Sequence, residues 1–136
     1  MPVVELDMIM GFVNTLDALH EVAGQLFRRI KGGDLKDVYV ASSAYLEYEL
    51  LLRSRGYGEA EIREDLRAFR EYPNLREAPL IIDVMILASD LRERYDLTYF
   101  DSLHAASALT LNEKIVSVDE AYDGVDELER VDPADL

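Results

Sequence analysis

The sequence predicts an α/β fold, with helices covering both faces of a short parallel sheet, in a single domain over residues 1–136. Short apolar runs alternate along the chain with amphipathic segments of about ten to fifteen residues, the pattern of parallel strands joined by crossover helices. The 136 residues, of which 49% are hydrophobic, suit one compact domain with a buried core. No internal repeat, low-complexity tract or linker interrupts them.

Five short runs have the length of strands, and most of them have the β-branched composition that strands favour. They are residues 3–6, 38–41, 75–78, 114–118 and 128–131, the last as an edge strand. The first run stops at Asp7 and the fourth stops at Asp119. An acid is therefore expected directly after each of these two strands.

Helical spacing of apolar residues predicts the segments between the strands. These segments are 8–13 (a short helical turn), 17–31, 42–55, 59–72, 79–95 and 101–112. Asp17 and either Ser42 or Ser43 have the side chains of N-caps, and Gly32 and Gly56 follow helix ends. Strands and helices therefore alternate through the whole chain.

The charge balance is strongly acidic. Asp and Glu total 28 against 14 Lys and Arg, which gives a net charge of −14. A surface of this sign repels nucleic acid at long range, and it suits a salt-adapted protein, a basic protein partner or divalent cations. The absence of cysteine excludes disulfides and thiolate metal sites. Neither a membrane span, which needs about 20 apolar residues, nor a secretory signal is found, so we expect a cytoplasmic protein.

Four acids are predicted to converge at one edge of the sheet. Asp7 and Asp119 follow strands, Asp101 lies in the first turn of a helix, and Glu47 lies beside the apolar face of the helix over 42–55. In parallel sheets the ligand site lies beyond the carboxyl ends of the strands. Carboxylates about 4 Å apart repel by roughly 4 kcal/mol at an effective dielectric near 20, and a bound cation or a proton relieves this. Oxygen ligands of this kind suit Mg²⁺ or Mn²⁺.

Each acid also has a structural alternative. Asp7, Asp101 and Asp119 have the positions of residues that cap helices or turns. Glu49 competes with Glu47, because the two side chains lie roughly 200° apart around a helix and cannot both face the site. The leucines beside Glu47 favour Glu47.

Two further polar residues fall inside the acidic segments. His104 lies one helical turn after Asp101, and we expect it to be partly buried and bonded to a backbone carbonyl rather than to act as a general base. Ser117 precedes Asp119 by two residues, and we expect it to hydrogen-bond a ligand carboxylate. No histidine–acid pair accompanies Ser117, so the sequence does not favour a serine hydrolase.

Four segments carry a family resemblance over nearly the whole chain: Leu6-Asp7, Leu46-Glu47, the run Leu97–Ala106 around Asp101, and the run Val116–Tyr122 around Asp119. With these acids in this order, the chain resembles the PIN-domain family, in particular the VapC-type toxin ribonucleases of prokaryotic toxin–antitoxin systems. The run around Asp101 is the most specific of the four.

The resemblance implies a three-layer PIN-like fold, with a short, mostly parallel central sheet flanked by helices. It implies a hydrolase, a metal-dependent endoribonuclease that cleaves RNA phosphodiester bonds with Mg²⁺ (or Mn²⁺) as cofactor. Asp7, Glu47, Asp101 and Asp119 are then the catalytic and metal-binding residues, with Ser117 supporting them. The implied partners are an RNA substrate, an antitoxin protein and a second copy of the chain.

One pair of residues departs from the family pattern. The family usually has a small hydroxyl residue and often asparagine after its first aspartate, whereas Met8 and Ile9 follow Asp7 here. Neither side chain can hydrogen-bond a carboxylate, and losing such support can cost tenfold or more in metal affinity or activity. The alternative function is therefore a catalytically weakened PIN-fold binding or regulatory module. A magnesium-dependent phosphatase is a third alternative that no residue specifically favours.

Overall fold

A five-stranded sheet forms the centre of the protein in a computed structural model, which describes residues 2–112 and 114–136. The strands are β1 Val3–Val4, β2 Val38–Ala41, β3 Leu75–Ala78, β4 Ile115–Val116 and β5 Arg130–Val131. Their order is β3-β2-β1-β4-β5, and all four pairings are parallel. The predicted α/β class with a parallel sheet is confirmed.

Helices connect and cover the strands. Within the described residues they are α1 Leu6–Val13, α2 His20–Lys31, α3 Ser42–Ser54, α4 Glu59–Arg70, α5 Ile82–Arg94 and α6 Tyr99–Thr110. A short 3₁₀ helix, Glu120–Gly124, follows β4, and another, Pro133–Asp135, follows β5. None of the helices in the described part of the chain is long and apolar enough to cross a membrane.

The first strand is shorter than the prediction. It ends at Val4, and α1 begins at Leu6, because Glu5 acts as the N-cap of α1 and accepts the backbone N–H of Asp7. Asp7 therefore lies in the first turn of α1 rather than directly after β1. The fourth strand is also shorter than predicted, since β4 ends at Val116 and Asp119 lies three residues beyond it. The prediction that Asp17 is the N-cap of α2 is also wrong, because the N-cap residue is Leu19. Asp17 Oδ1 accepts the N–H of Leu19 in the turn that precedes the helix.

Helix α3 begins at Ser42 as predicted, but its N-cap residue is Ala41 rather than Ser42 or Ser43, and no side chain among the described residues caps it. The helix predicted from Asp101 begins two residues earlier, at Tyr99. The helix predicted from Pro79 begins at Ile82. The elements themselves are those that the apolar spacing predicts.

The register of the sheet brings the ends of β1, β2 and β4 together at one edge. Val4 pairs with Val40 on one side and with Val116 on the other. The residues that follow these strands, Glu5 and Ser117 among them, therefore emerge at the same edge. All three valines are fully buried, so this edge stands on a rigid apolar core.

Helix α1 lies close against α2 at Gly11. A Cβ atom at this position would lie 3.1 Å from both the Cβ and the carbonyl oxygen of Leu19 and 3.1 Å from the Cβ of Ala23. The absence of a side chain therefore permits this approach. Met8 and Ile9 on α1 are fully buried in the core, so the two residues that depart from the family pattern contribute packing.

Candidate metal centre

Glu5, which sequence reasoning did not select, lies at the centre of the carboxylate cluster. Its side chain is enclosed, with only 5% of the residue exposed. Its Oε1 accepts the backbone N–H of Asp7 at 3.2 Å, Ser117 Oγ lies 3.1 Å from Oε1, and the Tyr122 hydroxyl lies 3.3 Å from Oε2. Burial, together with the neighbouring Asp7 carboxylate, raises the pKa of Glu5 to about 10. Burial therefore favours the protonated form of Glu5 in the absence of a cation.

Asp7 lies beside Glu5 and is held by the segment after β4. Its Oδ2 accepts the backbone N–H of Val118 at 2.8 Å and lies 3.0 Å from Ser117 Oγ. These two donors supply the hydrogen-bonding support that Met8 and Ile9 do not. Asp7 Oδ1 is buried and has no hydrogen-bond partner among the described residues. A buried carboxylate oxygen of this kind is satisfied by a water molecule, a proton or a cation.

Asp101 is presented to the cluster by α6. The N-cap of this helix is Thr98, whose Oγ1 accepts the N–H of Asp101 at 3.2 Å, so the Asp101 side chain does not cap the helix. Asp101 Oδ1 lies 3.2 Å from the Tyr122 hydroxyl. The capping alternative for Asp101 is therefore wrong.

Tyr122 links two of the acids. It is fully buried, and burial, followed by the charges of Glu5 and Asp101, raises its pKa above the usual range. The hydroxyl keeps its proton, so it can donate to Asp101 while it accepts from protonated Glu5. In the sequence this tyrosine is only the last residue of the run Val116–Tyr122. Its role depends on a contact with Glu5, 117 positions away.

Asp119 lies at the rim of the cluster. It is exposed, and its Oδ1 accepts the N–H of Ala121 at 2.9 Å as the N-cap of the 3₁₀ helix that follows β4. Its own backbone N–H donates to Ser117 Oγ at 3.0 Å. The capping alternative thus holds for one oxygen of Asp119. Its charge still reaches the centre, since it contributes to the raised pKa of Tyr122.

Glu47 faces inward and Glu49 does not. Glu47 Oε1 lies 2.8 Å from Nε2 of His104, whereas Glu49 pairs with Arg53 on the outer side of α3. His104 is fully buried, and its Nδ1 lies 2.7 Å from Ser43 Oγ. The prediction that His104 hydrogen-bonds a backbone carbonyl is therefore wrong, because its ring hydrogen-bonds two side chains of α3.

The closest group of potential ligands comprises Glu5, Asp101 and His104. One ligand atom from each lies within 4.8 Å of the other two. With the unpartnered Oδ1 of Asp7 beside them, these residues fit a divalent cation held mainly by carboxylate oxygens. Bound there, such a cation supplies Lewis acidity and lowers the pKa of a water molecule. Glu5 would have to release its proton to act as an anionic ligand.

Comparison with known proteins identifies the family of the chain. Residues 9–128 match the profile of the PIN domain. Comparison with curated protein sequences found no match.

Solved structures share the fold over nearly the whole chain. VapC20 from Mycobacterium tuberculosis, described as a Sarcin-Ricin loop cleaving toxin, has a TM-score of 0.72 at 18% identity and covers 95% of this chain and 99% of its own. VapBC2 from Rickettsia felis, bound to a promoter DNA fragment, has a TM-score of 0.72 at 12% identity. The match covers 95% of this chain and 96% of the VapBC2 chain. A toxin-antitoxin complex from Klebsiella pneumoniae gives 0.68 at 12% identity and covers both chains fully. The profile match spans most of the sequence, and the chain belongs to the PIN domain family.

Proposed function

We propose that this protein is a metal-dependent endoribonuclease that hydrolyses RNA phosphodiester bonds. The observation that carries the proposal is the carboxylate cluster at the edge of the parallel sheet, in which a buried oxygen of Asp7 has no hydrogen-bond partner within residues 2–112 and 114–136. A structural relative described as a toxin that cleaves the Sarcin-Ricin loop supports RNA as the substrate. The mostly carboxylate donor set favours Mg²⁺ or Mn²⁺.

The residues of the cluster have separate roles in this proposal. Asp7 and Asp101 would hold the cation, Asp7 through the buried oxygen Oδ1, and Glu5 could join them by giving up its proton. Glu47 and Asp119 would flank the centre, where their carboxylates could orient water. Ser117 fixes the Asp7 carboxylate through its hydroxyl and the Asp119 backbone through its lone pair.

The same relatives support a biological setting. One structural neighbour is described as a toxin-antitoxin complex and another as a toxin. We propose that the protein acts in the cytoplasm as the toxin of a toxin–antitoxin pair, with an antitoxin protein as partner. A second copy of the chain is the other proposed partner, through the exposed apolar face of α5 formed by Ile82, Met85 and Ile86.

A cleavage assay tests the activity. Purified protein is incubated with a pool of structured RNAs in Mn²⁺, in Mg²⁺ and in EDTA, beside Asp101→Asn. We expect cleavage that requires the metal and falls at least about a hundredfold in the variant, since one ligand carboxylate is lost. Sequencing of the product ends identifies the cleaved bond.

Asp83→Asn is the matched control. Asp83 lies in the first turn of α5, as Asp101 lies in the first turn of α6, but it is exposed and distant in sequence from the cluster. Both substitutions remove an acid from a helix N-terminus, and only one removes it from the proposed site. Equal cleavage by Asp101→Asn and Asp83→Asn would contradict the assignment.

The second candidate function is a weakened PIN-fold binding or regulatory module. Met8 and Ile9 do not support it, because both are packed in the core and Asp7 has other donors. Glu5 does support it, because a proton on a carboxyl whose burial favours the protonated form competes with a cation. Mn²⁺ binding without cleavage of any RNA would favour this second candidate.

A further inference from the structure

We propose that His104 is a positioning residue that holds Glu47 toward the metal centre and is not itself a ligand. The inference rests on the metal centre proposed above and assigns a role to the buried histidine beside it. Distance alone would make His104 a third ligand, because one of its nitrogens lies within 4.8 Å of ligand oxygens of Glu5 and Asp101. Its hydrogen bonds point to a different role.

The imidazole ring bridges two residues of α3. Nε2 lies 2.8 Å from Glu47 Oε1, and Nδ1 lies 2.7 Å from Ser43 Oγ. Ser43 and Glu47 are one helical turn apart, so a single ring from α6 reaches both. Phe100, one turn before His104 on α6, stacks on the ring at 6.2 Å between centroids and 28° between planes. The ring is therefore fixed in position and in orientation.

The Glu47 carboxylate selects which ring nitrogen donates, and the Ser43 hydroxyl can then serve the other nitrogen. An ionised Glu47 carboxylate offers only acceptors, so Nε2 must carry the N–H that donates to it. In the neutral ring Nδ1 is then the acceptor, and the Ser43 hydroxyl donates to it. A protonated nitrogen has no lone pair for a metal ion, and the other nitrogen is already occupied. Both nitrogens of His104 are thus closed to coordination while this network is intact.

The network matters because Glu47 is otherwise weakly restrained. It lies on a helix rather than at a strand end, and 27% of its side chain is exposed. A free glutamate side chain samples several rotamers, whereas a donor at a fixed point selects one. Partners that orient a metal-binding side chain typically change metal affinity by about 10–100-fold when they are removed.

The test measures Mn²⁺ affinity of the full chain by electron paramagnetic resonance, which reports free Mn²⁺. We expect His104→Phe, which keeps an aromatic ring without its donors, to weaken binding at least about tenfold. His104→Gln restores most of the affinity, because its amide can donate to Glu47 and accept from Ser43. Far-ultraviolet circular dichroism checks that each variant is folded.

A double-mutant cycle separates the two roles. If His104 acts through Glu47, the variant carrying both Glu47→Gln and His104→Phe binds Mn²⁺ no more weakly than Glu47→Gln alone. Additive losses in affinity would show that His104 contributes independently and would overturn the proposal.

A spectroscopic test on the unmodified protein needs no variant. Electron spin-echo modulation of bound Mn²⁺ detects a directly coordinated imidazole nitrogen, and we expect no such coupling. A strong nitrogen coupling that disappears in His104→Gln would make His104 a ligand while leaving the metal centre intact. Failure of the unmodified protein to bind Mn²⁺ would overturn the metal centre and this inference together.

Discussion

The raised pKa of Glu5 makes the stability of the folded protein depend on pH, and the direction of this dependence follows from the shift. The pKa of Glu5 is about 10 in the folded protein, against an ordinary value of 4.5. Between these values the folded state holds a proton that the unfolded chain releases. The stability contributed by this residue is complete below about pH 4.5 and is lost progressively as pH rises toward 10.

Glu5→Gln tests this dependence. Glutamine resembles the protonated carboxyl group and does not titrate. The free energy of unfolding of the variant, relative to that of the wild type, should therefore increase from pH 5 to pH 9. Urea unfolding of both proteins in EDTA at several pH values measures the difference. Glu61→Gln, at an exposed position on α4, is the control and should follow the wild type. Parallel curves for Glu5→Gln and wild type would contradict the raised pKa.

At the scale of single residues, sequence reasoning placed Asp101 and Glu47 in inward-facing positions and missed Glu5. The leucines beside Glu47 do not mark the buried face of α3, because Leu46 and Leu50 are 40% and 47% exposed. The inward position of Glu47 comes instead from its contact with the buried ring of His104. Glu5 was missed because the run from Val3 was extended to Leu6, although Leu6 and Met10 already have helical spacing. The partners of His104 could not be predicted, because Ser43 and Glu47 lie 61 and 57 positions away.

At the scale of secondary-structure elements, α5 presents an apolar face that the described part of the chain leaves exposed. Ile82, Met85 and Ile86 have the i, i+3, i+4 spacing of one helical face and are 72%, 49% and 63% exposed. The preceding Ile81 is 44% exposed and extends the patch. We propose that a second copy of the chain covers this face, since one helix packing on its own symmetry mate gives a self-complementary interface.

Ile86→Glu tests the dimer. A charge buried in this interface would be unpaired, so we expect the variant to have the mass of one chain, 15.5 kDa, at concentrations where the wild type has twice that mass. Sedimentation velocity measures both. Leu16→Glu is the matched control, because Leu16 is 92% exposed and lies outside α5. A monomeric wild type, or a dimeric Ile86→Glu variant, would contradict this interface.

Helix and strand identity could be predicted from the sequence more securely than the boundaries. The alternation of apolar runs determines which segments cross the sheet, whereas caps depend on single hydrogen bonds. Thr98, for example, caps α6 because its hydroxyl meets the N–H of Asp101, which leaves the Asp101 carboxylate available to the cluster. Sequence alone could not decide between these two uses of an acid in a first helical turn.

At the scale of the whole molecule, the strand order and the negative net charge both affect the carboxylate cluster at the edge of the sheet. The strand order places β1 between β2 and β4, and therefore brings the segments after these strands together. The net charge of −14 adds a negative potential around the cluster, which attracts cations and repels RNA. A bound divalent cation is then the local positive charge that an RNA phosphate can approach.

Calorimetric titration with Mn²⁺ tests the central claim, that these carboxylates form a metal site, most directly. Wild-type protein, Asp101→Asn and Asp83→Asn are titrated under the same ionic strength after dialysis against a chelator. We predict saturable binding by the wild type and by Asp83→Asn, and binding at least about tenfold weaker by Asp101→Asn. Equal affinities in all three proteins would place the bound Mn²⁺ elsewhere on the acidic surface, and no saturable binding by the wild type would contradict a metal centre at this edge of the sheet.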